Sequence, residues 1–165
     1  MRELADLAVL FALGNPAAHA QSKPPSLSSP QTPAGIQLWT SAELQTRTRA
    51  LKLNERGQGV DRLENWANHS LQQERLEGST LAEAHQTLAD VFVITSGEVT
   101  LIAGGVIEEP NASSPTETRG KSITGGTTRK LAVGDVVHIP AKTPHQLIVE
   151  AGKQSTFLVL KVETK

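Results

Sequence analysis

Cysteine is absent from the 165-residue sequence. This absence excludes disulfide bonds, thiolate zinc sites and cysteine nucleophiles. Tyrosine is absent too, and there are only three phenylalanines and two tryptophans. The chain therefore has few aromatic rings with which to build a stacking platform for sugars.

The sequence also lacks an excess of charge of one sign. It has 16 basic and 17 acidic residues, a formal net charge of −1, and no run rich in lysine and arginine. Nucleic acid and anionic membrane surfaces are therefore not expected partners. The apolar run at residues 7–13, LAVLFAL, is far shorter than the roughly 20 residues that span a bilayer, so we expect no membrane span.

The N-terminal run has the features of a short signal peptide. It is followed by the tripeptide Ala-His-Ala at residues 18–20, which fits a cleavage site. We predict a signal peptide over residues 1–20 and an exported protein, periplasmic or extracellular. Acidic residues precede the run where a positive segment is typical, so a cytoplasmic location is the alternative. Residues 21–35, rich in proline and serine, are predicted to be a disordered linker.

We predict that residues 36–165 form one folded domain. Residues 40–43, Thr-Ser-Ala-Glu, fit a capping box and predict a short helix that ends at Gly57 and Gly59. Short β-rich segments bounded by turn residues then favour an all-β barrel or sandwich. These segments are 91–94, 99–102, 136–139, 146–149 and 157–160. Residues 104–130 are predicted to be a long loop with one or two weak strands.

The stretch EAHQTLAD at residues 83–90 carries the first candidate site. Side chains two apart in a strand share a face, so Glu83 and His85 point the same way. Asp90 converges with them only if a turn lies within residues 86–89. The three residues are either metal ligands gathered at a strand end or ordinary solvated polar side chains.

A second stretch, GDVVHIPAKTPHQL at residues 134–147, supplies a further histidine. Pro140 and Pro144 restrict the backbone ahead of His145 and predict a stiff rim. A histidine on such a rim is suited to holding a metal or a substrate group. Three more residues are candidates for a pocket, although each also fits an ordinary surface position: His138, Lys142 and His69.

The second stretch resembles the second motif of the cupins, G-x5-P-x-G-x2-H-x3-N. Gly134, Pro140 and His145 match it at its spacing, whereas Lys142 replaces the inner glycine and Val149 the final asparagine.

The first stretch resembles the first cupin motif, G-x5-H-x-H-x3–4-E-x6-G, more loosely. His85 fits its second histidine, Asp90 its glutamate and Gly97 its final glycine, while Glu83 takes the place of the first histidine. The resemblance covers residues 70–162.

The resemblance implies a single cupin barrel, a jelly-roll or double-stranded β-helix, preceded by the short helix and assembled as a homodimer. It also implies a divalent transition metal held by Glu83, His85, Asp90 and His145. Two imidazoles with carboxylates suit iron, manganese, nickel, zinc or copper, and affinity order does not choose among them.

Two functions follow from the resemblance. One is a metal-dependent enzyme of the dioxygenase, isomerase or lyase type that acts on a small organic molecule. If Glu83 or Asp90 does not bind the metal, that residue would serve as the general base. The other is a module without catalytic activity that binds a small molecule, or a structural dimer without metal. The fold does not select the reaction.

Overall fold

The structure, a computed structural model, describes residues 35–164. The chain divides into two units, Met1–Leu38 and Trp39–Lys165. In the first unit, the described residues 35–38 contain neither helix nor strand. The predicted signal peptide and all but one residue of the predicted linker lie outside the described residues. Within the described range, no helix is long and apolar enough to cross a membrane.

The predicted helix is present but ends earlier than expected. α1 spans Ser41–Ala50, and the side chain of its N-cap residue Thr40 accepts a hydrogen bond of 3.2 Å from the backbone N–H of Glu43. The prediction that Gly57 ends the helix is wrong. Gly57, at a φ of 73°, instead forms the turn before the first strand, where a positive φ is easily adopted by glycine.

Within residues 35–164, twelve strands follow the helix, all paired antiparallel. They are β1 (Gln58–Asn65), β2 (His69–Leu76), β3 (Ala82–His85), β4 (Leu88–Ala103), β5 (Val106–Glu108), β6 (Asn111–Ser114), β7 (Glu117–Gly120), β8 (Ser122–Thr124), β9 (Thr127–Ala132), β10 (Val136–Ile139), β11 (His145–Ile148) and β12 (Ser155–Glu163).

The long strand β4 belongs to two sheets. Its first part pairs with β12 and β10, and β12 continues through β2 to β1. Its second part pairs with β9 and β11, and β11 continues through β3 and β7 to β6. The predicted all-β barrel with one short helix is therefore confirmed.

The sequence predicted two strands where the structure has the single strand β4. The Ser96-Gly97 pair reads as a turn, but the chain does not reverse there. Gly97 has a φ of 71°, and the pairing with β12 skips Thr95, which forms a bulge. A bulge of this kind bends a strand without ending it, so one strand serves both sheets.

The prediction of a long loop with one or two weak strands at residues 104–130 is wrong in part: β8 and β9 are the weak strands, but β5, β6 and β7 stand where a loop was expected. That segment contains β5 to β8 and the start of β9. Its polar composition reflects exposure, since every residue of β6 and the first four residues of β9 are exposed. Strands without a buried face do not show the apolar alternation that sequence analysis relies on.

The hydrophobic core lies between the two sheets. Phe92, Phe157 and Val159 come from the first sheet, and Leu101 and Leu147 from the second. A smaller cluster joins Ala82 and Ala84 of β3 to Ile107 of β5 and Ile123 of β8, two strands that pair with each other. This second cluster fixes which face of β3 is apolar.

Candidate metal centre

Strand β3 presents its two polar side chains to the interior because its two alanines take the opposite face. Ala82 and Ala84 pack against the paired strands β5 and β8, so Glu83 and His85 point the other way. The predicted turn is present at residues 86–87, directly before β4 begins at Leu88. This turn brings Asp90 into the same site.

His145 begins β11 directly opposite Glu83 on β3. The loop before it is attached to β3, because the backbone N–H of Lys142 donates to the carbonyl oxygen of His85 over 2.6 Å. Lys142 has a φ of 67°, which is the left-handed conformation that glycine adopts most readily. The positive φ explains why the cupin motif has glycine at this position. Lys142 adopts the same conformation at a cost in backbone strain.

Four donor atoms converge at this point, all within 4.8 Å of one another. His85 Nε2 lies 3.2 Å from Asp90 Oδ2 and 3.7 Å from Glu83 Oε1. His145 Nε2 lies 3.4 Å from Asp90 Oδ2 and 3.5 Å from Glu83 Oε1. The four residues predicted from sequence are therefore brought together.

The spacing of these atoms fits a transition metal. Ligands at about 2.1 Å from a metal lie about 3.0 Å apart when octahedral and about 3.4 Å apart when tetrahedral. The separations of 3.2 to 3.7 Å fall close to this range. A metal would need only small movements of these side chains.

The imidazole of His145 is oriented as a metal ligand would be. Its Nδ1 donates to the carbonyl oxygen of Thr143 over 3.0 Å, whereas its Nε2 is buried and makes no hydrogen bond. A metal-bound histidine commonly donates its other ring N–H to a backbone carbonyl. The nearest polar atoms to the buried Nε2 are the carboxylate oxygens of Asp90 and Glu83, at 3.4 and 3.5 Å.

The site is buried, and its pKa values reflect close opposite charges. Burial lowers the pKa of His145, but the carboxylates of Asp90 and Glu83 outweigh that effect and raise it to about 9. Burial raises the pKa of Asp90 and of Glu83, but the two histidines and Lys161 outweigh it and hold both pKa values well below the usual range. Both carboxylates are therefore ionised at neutral pH.

Lys161 is a fifth member of the site that sequence analysis missed. Its Nζ donates to Asp90 Oδ1 and Oδ2 over 3.0 and 2.8 Å, and it lies 2.9 Å from His85 Nε2. An ammonium group can bond to that nitrogen only through its lone pair, which requires His85 to be neutral with its proton on Nδ1. Burial and Lys161 lower the pKa of His85, but Asp90 and Glu83 raise it overall.

Glu117 and Arg119 on β7 form an outer layer behind the site. Glu117 Oε1 lies 3.3 Å from His85 Nδ1, and Arg119 Nη2 lies 3.0 Å from the same carboxylate and 3.3 Å from Glu83 Oε2. A carboxylate behind a ligating histidine fixes its ring and raises its basicity. Sequence analysis missed both residues because it assigned residues 104–130 to a loop.

A polar cleft of about 570 Å³ opens onto the site. Glu83, His85 and Lys161 line this cleft, and its walls also carry other acidic and basic side chains. These wall residues include Arg62, Glu74, Glu117 and Arg119. The cleft is large enough for a small organic molecule.

The three other candidate pocket residues lie outside the cluster. His138 is exposed and pairs with Val91, one position away from the interior residue Asp90. The side chain of Lys142 is exposed, although its backbone positions the rim. His69 stacks on Trp66 with ring centroids 4.5 Å apart.

No protein-family model and no curated protein matches the sequence. Similar solved structures include Peruvianin-I, a cysteine peptidase from Thevetia peruviana latex, which is 15% identical over 81% of this chain and 78% of its own, with a TM-score of 0.53. The protein TT1209 from Thermus thermophilus is 18% identical over 70% of this chain and 91% of its own, with a TM-score of 0.51. This chain has no cysteine for the activity named for Peruvianin-I.

A sugar phosphate isomerase of the cupin superfamily from Silicibacter pomeroyi is also similar. It is 20% identical over 66% of this chain and 60% of its own, with a TM-score of 0.47, so this chain spans less than two thirds of that protein. Two antiparallel sheets share β4, and the two cupin-like motifs meet between them. Another similar solved structure is a cupin 2 conserved barrel domain protein from Salinispora arenicola, 16% identical over 69% of this chain and 82% of its own, with a TM-score of 0.48. At these identities the likeness concerns the fold alone and not a reaction.

Proposed function

We propose that this protein is a cupin that binds a divalent transition metal through Glu83, His85, Asp90 and His145, and that it acts on a small polar organic molecule in the adjoining cleft. The observation that carries the proposal is the convergence of four ligand atoms within 4.8 Å of one another, among them the buried Nε2 of His145, which lies 3.4 and 3.5 Å from two ionised carboxylates. Iron, manganese, nickel, zinc and copper all suit two imidazoles with carboxylates.

The metal would supply Lewis-acid polarisation of a substrate oxygen, or redox chemistry if it is iron or copper. The chain supplies the rest of the site. Thr143 and Glu117 orient the two imidazole rings, and the low pKa values of Glu83 and Asp90 make them better ligands than proton acceptors. The polar walls of the cleft favour a charged or hydroxyl-bearing substrate over an apolar one.

A second function is favoured by one specific observation. The ammonium of Lys161 already neutralises Asp90, so the cluster can be stable as a metal-free binding site. The alternative is therefore a cupin that binds a small molecule without metal or catalysis. Export and homodimer formation stay predictions from the sequence.

The metal content of the full chain, purified without a polyhistidine tag, tests the proposal. We expect close to one metal ion per chain by plasma mass spectrometry, and less than about a tenth of that in His85→Ala and His145→Ala, because each variant removes one of four ligands. His138→Ala is the matched control, since His138 is exposed and lies outside the cluster. It should retain the metal.

A wild-type protein that is free of metal and takes up none of the five metals when they are added would contradict the metal function. The alternative without metal would then stand, and screening of polar small molecules by thermal shift would replace activity assays.

A further inference from the structure

Lys161 reaches the site because of the register between two neighbouring strands. It lies directly opposite Asp90 in the pairing of β12 with β4. Residues directly opposite each other in an antiparallel pair project to the same face, so both side chains point into the interior. The Lys161 side chain is 17% exposed and the Asp90 side chain is fully buried.

The ammonium of Lys161 and a metal need the same electron pair. His85 Nε2 lies 2.9 Å from Lys161 Nζ and has one lone pair in the plane of its ring. That lone pair either accepts the ammonium proton or ligates a metal. His85 therefore cannot bond to the Lys161 ammonium and bind a metal at the same time, whichever other donors hold the metal.

We propose that Lys161 is a built-in competitor for the metal, so that metal binds only when the Lys161 ammonium leaves His85. The inference rests on the proposed metal function of this site. In the metal-free protein, the Lys161 ammonium acts as an internal cation that neutralises Asp90. Its competition with the metal for His85 then sets the metal affinity of the site.

The charges of the site support such an exchange. Asp90 is fully buried, and an isolated buried carboxylate is very costly. In the metal-free protein it is paired with Lys161 at 2.8 Å. A divalent ion would take over this neutralisation, so the ammonium loses its main partner when the metal arrives and can leave at little electrostatic cost.

The cleft offers the displaced ammonium other acidic partners. Lys161 lines the cleft together with Glu74 and Glu117. Glu74 is buried and holds hydrogen bonds from Gln58 and Gln72 of 2.8 and 2.6 Å. A rotation of the flexible Lys161 side chain toward these carboxylates would free His85 without moving the backbone.

Zinc affinity of the full chain and of Lys161→Met, measured by calorimetric titration with zinc chloride at one pH, tests the inference. If the Lys161-bound state makes up nine tenths or more of the metal-free protein, removal of the ammonium should tighten zinc binding by about ten-fold or more. Lys161→Gln is a second uncharged variant in case Lys161→Met does not fold. Lys153→Met, which removes an exposed lysine paired with Glu150, is the control and should match the wild type.

The outcomes separate this inference from the metal function. Zinc binding by the wild type with equal or weaker binding by the folded Lys161 variants overturns the inference and leaves the metal function standing. Zinc binding by the variants alone supports the inference and removes the metal function from the wild type. Absence of binding in every folded protein overturns both.

Discussion

His145 shows how neighbouring groups set the chemistry of a single residue. The Thr143 carbonyl fixes the proton on Nδ1, and the carboxylates facing Nε2 raise the pKa of the ring to about 9. Without metal the ring is therefore doubly protonated at neutral pH. A metal ligand must be deprotonated at its donor atom, so His145 has to release a proton when metal binds.

The affinity of the wild-type protein for zinc should therefore rise with pH. Between about pH 6 and about pH 8 the pKa of His145 stays above the solution pH, so release of its proton predicts a gain in affinity of about ten-fold per pH unit, to which any proton on His85 adds because its pKa is raised too. Titrations in two buffers of different ionisation enthalpy should count about one to two protons released per zinc bound. His138→Ala should show the same slope, and an affinity independent of pH would contradict the role given to His145.

At the scale of the strands, spacing left the polar residues of the cluster open as metal ligands or solvated side chains, and the resemblance to the cupin motifs predicted the set of four. Glu83 and His85 share a face by the period of a strand, and the prolines ahead of His145 marked the rim. The turn needed before Asp90 is present. These features depend on local spacing, which the sequence contains.

Lys161 and Glu117 could not be predicted in the same way. Lys161 stands near the end of an apolar strand, where a lysine is ordinarily exposed, and only its register opposite Asp90 brings it inside. Glu117 lies in a polar strand whose pairing with β3 places it opposite His85. Pairings between distant segments are not encoded in local periodicity.

Gly97 is the residue that lets one strand serve both sheets. Its φ is 71°, and a Cβ atom at this position would lie 2.1 Å from the carbonyl oxygen of Gln154. We expect Gly97→Ala to lower the free energy of unfolding by more than about 2 kcal/mol, since it adds a backbone clash to the cost of a positive φ. Urea denaturation would measure the change.

Gly152→Ala is the matched control for Gly97→Ala. Gly152 has a similar φ of 77°, but nothing lies within 4 Å of the added Cβ. It should cost only the conformational strain of about 1 kcal/mol. Equal losses in the two variants would show that the close contact at Gly97 does not matter for stability.

At the scale of the whole molecule, the proposed metal joins the two sheets. Asp90 is in the part of β4 that pairs with β12, whereas Glu83, His85 and His145 belong to the sheet that contains β3 and β11. The core packs between the same two sheets. A metal held by donors from both sheets binds the folded state only, and its binding free energy adds to the stability of the entire fold.

Zinc should therefore raise the thermal unfolding temperature of the wild-type protein. At a free concentration a hundred times the dissociation constant, the gain is about 2.7 kcal/mol, which corresponds to roughly 10 °C for a domain of this size. Differential scanning calorimetry with and without zinc chloride would measure the shift. His85→Ala and His145→Ala should show none, whereas His138→Ala should shift as the wild type does. An equal shift in all four proteins would mean that zinc binds elsewhere, and the stabilisation would then say nothing about the site between the sheets.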